Sequence, residues 1–436
     1  MSEIIKVDLS APKQEFKPMN ATNGGPWHRR HQVSMPRSNF EAYRAARIPY
    51  ARNHDSGLVP IYGGPYAHDI TKIFRNFDAD ENDPASYDFG CTDEALLTML
   101  DAGTKPFFRL GESAEVHVVP HALIPPKDFH KWARICEHVI RHYTEGWANG
   151  FSLDMEYWEI WNEPDLHCDD VTKGYWLDVE ETFYDFYEIA AKHLKSCFPH
   201  LKIGGPSVSN GREWSVRFLS EMQKREVPID FFSWHVYATR PEKCVEKAAY
   251  YKGVLARFGY ENAESICNEW NYVAAWDHRF IESVRAIHGI RGAAFMMSVI
   301  SEAQASDDID MMMYYDTRPQ ALCGAFDFYT YEPLKGYYPL LWFGQMYDLK
   351  YLPVDNHPEE IYPLCGIDEN GKITCILTYY TNNENATERQ ISLDFGREVQ
   401  FEVTLLDEEH TATSEGVTTA TELSMKPLSC ILLKEI

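Results

Sequence analysis

The segment Trp158-Glu-Ile-Trp-Asn-Glu-Pro-Asp165 joins a short apolar run to an acidic side chain that stands just before a proline. The run Tyr157–Trp161 predicts a buried strand, and Pro164 marks the place where regular structure ends. Glu163 is therefore expected at the carboxyl end of a strand. In a parallel barrel this is the edge at which active sites are built.

Seven further segments of the same kind occur between about residues 17 and 350, and amphipathic stretches separate them. Eight alternating strand and helix units predict a (β/α)8 barrel. A doubly wound sheet is the competing architecture, but no glycine-rich phosphate loop follows any of the strands. The eight predicted strands are Met19–Gly24, Pro49–His54, Lys105–Leu110, Tyr157–Trp161, Lys202–Gly205, Asp230–Val236, Ser265–Glu269 and Asp310–Tyr315.

The helix predictions depend on apolar residues at helical spacing. Asp128–Tyr143 and Thr182–Leu194 each place aromatic and aliphatic side chains on one face. A third helix is predicted over Glu94–Leu100, with Thr92 or Asp93 as its cap.

After Leu349 the pattern changes to short runs in which apolar and polar residues alternate, which predicts a small β-sandwich. We assign residues 1–16 to an N-terminal strand that joins the sandwich, 17–350 to the barrel and 351–436 to the sandwich, and we expect firm packing between the parts. The five strands expected after Leu349 are Ile361–Gly366, Lys372–Tyr380, Arg389–Phe395, Gln400–Leu406 and Leu428–Leu433.

Composition excludes several classes of partner. The chain has 436 residues, and its formal net charge of −25 argues against binding to nucleic acid or to an anionic membrane, since both need a basic surface. The longest apolar stretch, Gly292 to Ile300, is too short to cross a bilayer.

The first ten residues do not have the pattern of a signal peptide, and the ten cysteines show no CxxC spacing. We therefore expect a cytoplasmic protein with reduced thiols, Cys267 and Cys375 among the buried ones.

Two glutamates carry the main functional hypothesis. Glu269 ends the seventh predicted strand within Asn268-Glu-Trp-Asn271, as Glu163 ends the fourth. Strands four and seven lie across the mouth of a barrel, so the two carboxyl groups are expected to flank one bond. Glycoside hydrolysis needs such a pair, because one group protonates the leaving oxygen while the other acts at the anomeric carbon.

Four more residues are candidates for contact with a sugar. His235 and Tyr237 share one face of the sixth strand, and Tyr237 is expected to donate a hydrogen bond to Glu269. Asn162 and His54 stand at strand ends, where they are expected to bind sugar hydroxyls. The alternative is a metal-dependent barrel hydrolase that uses His54, Asp55 and His235, but the chain has neither an HxH nor an HExxH pair.

Other candidate residues each have two interpretations. Each of four tryptophans either lines the pocket or packs in the core, and we expect half of them in the core; they are Trp158, Trp161, Trp270 and Trp276. The stretch Tyr314-Tyr315-Asp316 and Glu332 either faces the sugar or belongs to the rim. The loops Tyr62–Tyr87 and Cys168–Trp176 either narrow the pocket or form a subunit contact, so a homo-oligomer stays open.

Several motifs together resemble glycoside hydrolase clan A and, within it, family 39, the family of β-xylosidases and α-L-iduronidases. Trp161-Asn-Glu-Pro164 is similar to the acid/base motif of the whole clan. The more specific motifs are Tyr87-Asp-Phe89, Ala102-Gly-Thr-Lys-Pro-Phe-Phe108, Lys202-Ile-Gly-Gly-Pro206 and Asp230-Phe-Phe-Ser-Trp-His-Val-Tyr237. At the nucleophile the family typically has Thr-Glu-Phe-Asn, where this chain has Asn268-Glu-Trp-Asn271.

The resemblance implies a retaining exo-glycosidase with Glu163 as acid/base, Glu269 as nucleophile, and no metal or organic cofactor. The substrate would be an oligosaccharide or other glycoside. It also implies that His54, Asn162, His235 and Tyr237 contact the glycone. A neutral pentose is favoured over iduronate, because iduronate would need a cation for its carboxylate and nothing singles out Arg52 or Arg318. Among the neutral pentoses we place xylose ahead of arabinose. The alternatives are an α-L-arabinofuranosidase, which would release either a monosaccharide or a disaccharide, and a carbohydrate-binding barrel that has lost catalysis.

Overall fold

The structure is a computed structural model. It describes residues 2–27, 38–54, 68–113, 123–166, 175–319, 323–354, 356–419 and 422–436.

Eight parallel strands close into a barrel, because the first of them pairs with the last as well as with its neighbour in sequence. Each barrel strand lies on a segment that the sequence predicted, so the (β/α)8 prediction is confirmed. Strand β1 is Glu3–Lys6, and the barrel strands that follow it are β2 (Ala21–Asn23), β3 (Tyr50–Arg52), β4 (Lys105–Leu110), β5 (Tyr157–Ile160), β6 (Lys202–Val208), β7 (Phe231–Ala238), β8 (Glu264–Tyr272) and β9 (Met311–Tyr314).

Helices surround the barrel. The α-helices are α1 (Phe40–Ala45), α2 (Ile70–Ile73), α3 (Gly90–Asp101), α4 (Phe129–Thr144), α5 (Glu180–Cys197), α6 (Arg212–Lys224), α7 (Glu242–Arg257), α8 (Phe280–His288), α9 (Ile290–Ala305) and α10 (Tyr337–Met346), with short 3-10 turns at Pro84–Ser86 and Trp147–Asn149.

Helix α3 begins earlier than the sequence predicted, so the predicted cap is wrong. Thr92 and Asp93 lie inside the helix, and the backbone N–H of Asp93 already donates to the carbonyl of Phe89. Thr92 is buried in the core, and the carboxylate of Asp93 accepts a hydrogen bond from the hydroxyl of Tyr143. Both side chains therefore serve packing between helices and not a helix end.

The interior of the barrel has two layers of different chemistry. Two residues further along each of β4, β5 and β7, the apolar layer gives way to Arg109, Glu159 and Ser233, which are buried polar residues. The floor of the barrel is thus apolar, while the carboxyl ends of the strands are polar. The apolar layer consists of Ala21, Phe107, Tyr157, Phe231, Ile266, Met311 and Met313.

The C-terminal part forms two facing sheets around a separate apolar core, which includes Ile5, Leu377, Ile391 and Phe401. The strands are β10 (Lys350–Leu352), β11 (Ile361–Ile367), β12 (Ile373–Tyr379), β13 (Arg389–Asp394), β14 (Gln400–Leu406), β15 (Thr413–Thr419), β16 (Leu423–Met425) and β17 (Ser429–Glu435). One sheet has the order β10-β11-β12-β17-β14-β15 and the other β1-β13-β16. The five predicted strands are confirmed, and three others were missed, namely β10, β15 and β16.

The N-terminal strand β1 pairs in parallel with β13, and the six-stranded sheet packs against the barrel. Tyr362 and Tyr380 donate hydrogen bonds of 2.6 Å to the side chain of Glu242, the first residue of helix α7, and to the carbonyl of Thr239, just before that helix. The expected firm packing is therefore present, while the exact domain boundaries stay a prediction. None of the described helices has the length and hydropathy needed to cross a membrane.

Candidate active site

Glu163 and Glu269 meet at the carboxyl ends of the barrel strands. Glu163 follows β5 and Glu269 lies on β8, 106 positions further along the sequence. A carboxylate oxygen of one lies within 4.8 Å of a carboxylate oxygen of the other. Both residues are buried, with 8% and 4% of their surface exposed. The predicted juxtaposition is present, although the catalytic roles of the two residues stay predictions.

The backbone around Glu163 makes a tight turn that directs its side chain across the barrel mouth. Trp161 and Glu163 have φ values of 72° and 50°, which non-glycine residues rarely adopt. The turn is held because the N–H of Trp161 donates to the carbonyl of Leu110, and the N–H of Glu163 to that of Ser207. Strain of this kind persists where the surrounding structure fixes it, as at functional sites.

Two glycines let β6 lie close enough to its neighbours to supply that last carbonyl. A Cβ atom on Gly204 would lie 2.3 Å from the carbonyl oxygen of Phe231. At Gly205, where φ is 134°, a Cβ atom would lie 2.8 Å from the carbonyl oxygen of Ile160. The Gly-Gly-Pro motif therefore has a packing reason, which is to allow close contact with β5 and β7.

A β-bulge in β8 places two consecutive polar side chains inside the barrel. Trp234 pairs with Cys267, whereas His235 pairs with Glu269, so Asn268 is the extra residue. Asn268 then donates to the carboxylate of Glu159 at 2.6 Å, while Glu269 also faces inward. A regular strand would send one of these two side chains outward.

The carboxylate of Glu269 accepts from donors on both of its oxygens. Oε1 lies 2.8 Å from Nη1 of Arg52 and 2.8 Å from Nε2 of His54. Oε2 accepts a hydrogen bond of 2.9 Å from the hydroxyl of Tyr237, as predicted, and lies 3.4 Å from Nδ1 of His235. These contacts fix the rotamer of Glu269.

Charge also keeps Glu269 ionised. Burial alone would raise the pKa of this carboxyl group, but the nearby His235, His54 and Arg52 outweigh that effect. The pKa of Glu269 is therefore well below its usual value. An ionised carboxylate is the state that a nucleophile at an anomeric carbon requires.

Arg52 is the centre of the buried network, and all five of its N–H donors have acceptors. Nε donates to Glu159 at 2.6 Å, and Nη1 to Asn23 at 3.1 Å as well as to Glu269. Nη2 donates to Asn162 at 2.7 Å and to Ser207 at 2.9 Å. Burial opposes the charge on Arg52, but the two carboxylates outweigh it and raise its pKa.

His235 links the two glutamates to this network. Its Nδ1 lies 2.7 Å from Oε1 of Glu163, and its Nε2 lies 2.7 Å from Oγ of Ser207. An imidazole nitrogen can donate to a carboxylate or accept from a carboxyl group, so the contact accommodates both protonation states of Glu163. The side chain is fully buried, which excludes rotation into solvent.

A cavity of about 480 Å³ opens beside the two glutamates. Trp276 is 66% exposed and lines this cavity, whereas Trp158, Trp161 and Trp270 are core residues. Fewer of the tryptophans therefore face the site than the half we expected. The other lining residues are His54, Glu163, Leu166, Tyr175, Ser209, Asn210, Arg212, Val236, Tyr237, Ala238, Lys243, Lys247 and Glu269.

The remaining candidates have varied positions. The ring of Tyr315 packs edge-on against that of His54, with 5.0 Å between the ring centroids. Asp316 forms an ion pair with Arg318, in which Oδ2 lies 2.7 Å from Nη2. Asp55, residues 62–67 and residues 168–174 lie outside the described part of the chain, so the predictions that involve them are not addressed.

The sequence analysis missed the buried polar residues that hold the two glutamates and His235 in place. It did not select Glu159, Ser207, Ser233 or Asn268, and it considered Arg52 only as a ligand for a sugar carboxylate. One signal was available, because Arg52 and Glu159 are opposite charges within otherwise apolar strands, and buried charges need partners.

The contact between His54 and Glu269 gives a prediction for the pH profile. His54→Gln removes a charge that lowers the pKa of Glu269, so that pKa should rise. Because Glu269, the predicted nucleophile, must be ionised to react, the loss of kcat/KM on acidification should begin at a higher pH than in the parent protein. The profile of kcat/KM from pH 3 to 8 measures this.

His200→Gln is the matched control, since His200 is exposed and precedes β6 at the opposite end of the barrel. It should leave the profile unchanged. An acid limb of the His54→Gln variant that coincides with that of the parent protein would contradict the assigned role of His54.

Comparison with known proteins gives a consistent picture. A family model described as glycosyl hydrolases family 39 matches residues 36–266, a segment that includes Glu163 and stops three residues before Glu269. A β-xylosidase from Geobacillus stearothermophilus is 30% identical over 202 residues, which are 42% of this chain and 37% of that protein. The alignment thus spans little more than a third of that relative.

Solved structures extend the likeness of the fold over the whole chain. A glucosidase from Croceicoccus marinus has a TM-score of 0.80 at 18% identity, with 100% of this chain and 99% of that chain covered. A monomeric β-xylosidase from Caulobacter crescentus CB15 has a TM-score of 0.72 at 13% identity, with the same coverage. At such low identities the likeness concerns the fold alone.

Proposed function

Because the chain belongs to glycosyl hydrolase family 39, we propose that it is a retaining exo-glycosidase that removes terminal xylose from oligosaccharides or other glycosides. The observation that carries this proposal is the approach of Glu163 and Glu269 to within 4.8 Å. Retaining glycosidases hold their two carboxyl groups about 5–5.5 Å apart, whereas inverting enzymes leave about 6.5–9.5 Å for a water molecule. The observed separation lies on the retaining side.

In the first step, an oxygen of Glu269 attacks the anomeric carbon and forms a glycosyl ester. The bond from that carbon to the leaving oxygen breaks, and Glu163 transfers its proton to that oxygen. The groups that donate hydrogen bonds to Glu269 occupy the other lone pairs of its carboxylate. The attacking oxygen is therefore oriented before the substrate arrives.

In the second step, Glu163 is a carboxylate and removes a proton from water. The water oxygen attacks the anomeric carbon, and Glu269 leaves as a carboxylate. Nδ1 of His235 lies 2.7 Å from Oε1 of Glu163. This contact suits the change in protonation of Glu163, because an imidazole nitrogen can pair with either a carboxyl group or a carboxylate.

Asn162 supports binding of the sugar next to the acid. Its Oδ1 accepts from Arg52, which fixes the orientation of the amide and leaves Nδ2 as the end available for a substrate hydroxyl. In the described part of the chain no hydrogen-bond partner occupies Nδ2. A hydrogen bond to the 2-hydroxyl strengthens in the transition state of glycoside hydrolysis.

Both arginines that the sequence offered as partners for the carboxylate of iduronate are already engaged by acidic side chains, which favours a neutral pentose. Of the two arginines considered for a sugar carboxylate, Arg52 is engaged by Glu159 and Glu269, and Arg318 by Asp316. The β-xylosidase from Geobacillus stearothermophilus is one of the relatives that align with this chain, which favours xylose. A cavity of about 480 Å³ is of the size that holds a small ligand.

A panel of nitrophenyl glycosides tests the proposal. The β-D-xylopyranoside should give the highest kcat/KM, above the α-L-arabinofuranoside and the β-D-glucopyranoside. A higher value for the arabinofuranoside would replace xylosidase with arabinofuranosidase. Binding of xylose without hydrolysis of any glycoside would instead favour a carbohydrate-binding protein. The Glu269→Gln variant, purified in parallel, controls for contaminating glycosidases.

Chelation provides a further prediction. Glu163, His235 and Glu269 have donor atoms that suit a metal ion, but Arg52 and Tyr237 already donate to Glu269 and Ser207 contacts His235. We therefore expect full activity after dialysis against EDTA. Activity that is lost in EDTA and restored by a divalent metal would favour the metal-dependent hydrolase.

A further inference from the structure

Two cysteines face each other on neighbouring strands of the β-sandwich. Cys365 on β11 and Cys375 on β12 are directly opposed in the antiparallel register. Both side chains are fully buried in the core of the sandwich. Their Sγ atoms are 2.7 Å apart, well inside the distance of an ordinary sulfur–sulfur contact. Two cysteines in this arrangement can form a disulfide with little movement of the strands.

The backbone hydrogen bonds show which type of strand pair this is. The N–H of Asp368 donates to the carbonyl of Lys372 at 2.9 Å, so these two residues form a hydrogen-bonded pair at the turn. Hydrogen-bonded and non-hydrogen-bonded pairs alternate along antiparallel strands, which makes Cys365 and Cys375 a non-hydrogen-bonded pair. Such pairs have Cα atoms about 4.5 Å apart, at the short end of the range that a disulfide spans.

The turn holds this register firmly. The carboxylate of Asp368 accepts hydrogen bonds of 2.8 Å from the backbone N–H groups of Asn370 and Lys372. Gly371 adopts a φ of 84°, which suits glycine at a tight turn. The two thiols are therefore brought together as soon as the hairpin forms.

We propose that Cys365 and Cys375 form a cross-strand disulfide when the chain folds in the presence of a disulfide oxidant such as oxidised glutathione. One S–S bond forms between the two cysteines while the S–S bond of the oxidant breaks. The cysteines lose two electrons and two protons, and the two halves of the oxidant gain them as thiols. In a reducing compartment the pair stays as two thiols.

Because the two cysteines are buried, thiol–disulfide exchange should be slower in the folded chain than in a chain that is still folding. Thiol–disulfide exchange needs a thiolate and access to it. Burial raises the pKa of the Cys375 thiol well above its usual value. The folded pair should therefore exchange slowly in either direction, so its redox state is set during folding.

The experiment refolds the full chain from denaturant in glutathione buffer, with reduced glutathione alone as the parallel sample. Free thiols are then alkylated in denaturant without reductant, and peptides are analysed by mass spectrometry. The oxidised sample should contain Cys365 and Cys375 linked, with both unalkylated. Its thermal midpoint should exceed that of the reduced sample by about 2–5 °C.

Cys430→Ser is the matched control, since Cys430 is equally buried on β17 but lies opposite Thr378. It should keep the linkage and the difference in midpoint, whereas Cys375→Ser and Cys365→Ala should each abolish both. Full alkylation of Cys365 and Cys375 in the oxidised sample, or linkage of either to another cysteine, would overturn the proposal.

Discussion

Replacing Glu269 by alanine is expected to lower kcat/KM by about 10⁵-fold, because the side chain is the proposed nucleophile and not one of several contacts. Glu269→Gln should be equally inactive, although it keeps a polar side chain between Arg52 and Tyr237. Steady-state kinetics with the nitrophenyl xyloside measures both variants, and circular dichroism checks that they are folded.

Small anions separate loss of the nucleophile from damage to the site. In Glu269→Ala, azide or formate can enter the space left by the carboxylate and attack the anomeric carbon from the same side. Partial recovery of aryl glycoside cleavage, with a product of inverted configuration, is the expected result. Glu261→Ala is the control variant. Glu261 is an exposed residue just before β8, so its replacement should leave full activity. Substantial residual activity in Glu269→Gln without added anion would contradict the assignment.

The second large effect is expected at Glu163, and it should depend on the leaving group. Glu163→Ala removes the proton donor, so kcat/KM for xylobiose should fall by about 10³-fold. For a dinitrophenyl xyloside, whose leaving group needs no proton, the loss should be about tenfold or less. A comparison of the two substrates on one enzyme preparation measures the difference directly.

Glu181→Ala serves as the control for Glu163, because Glu181 is an exposed carboxylate at the start of α5. Added azide should speed turnover of the dinitrophenyl substrate by Glu163→Ala and yield a glycosyl azide of retained configuration. If both substrates lost activity by the same factor, Glu163 would not be the acid.

Much of the architecture could be predicted from sequence because the signals were local. Most of the barrel strands lie in short, largely apolar runs, and Glu163, His235 and Glu269 stand at or near the carboxyl ends of such runs. The alternation of side chains along a strand was enough to place His235 and Tyr237 on one face. Barrel topology then determined which strand ends face each other.

The parts that were missed depend on nonlocal or weak signals. The bulge at Asn268 moves a side chain inward without any change in composition that would predict it. The contacts of Arg52 join five elements that are far apart in sequence, so no spacing rule reveals them. Strand β15 is largely exposed and polar, and β16 alternates apolar and polar residues over only three positions, so neither gives a strand signal that can be recognised in the sequence.

The configuration of the first product tests the central claim most directly. Proton NMR during early hydrolysis of an aryl β-D-xylopyranoside distinguishes the two anomers of xylose before they interconvert. Two carboxyl groups within 4.8 Å of each other predict that β-xylose appears first and α-xylose only later, by mutarotation. Initial formation of α-xylose would mean inversion and would contradict a covalent intermediate on Glu269.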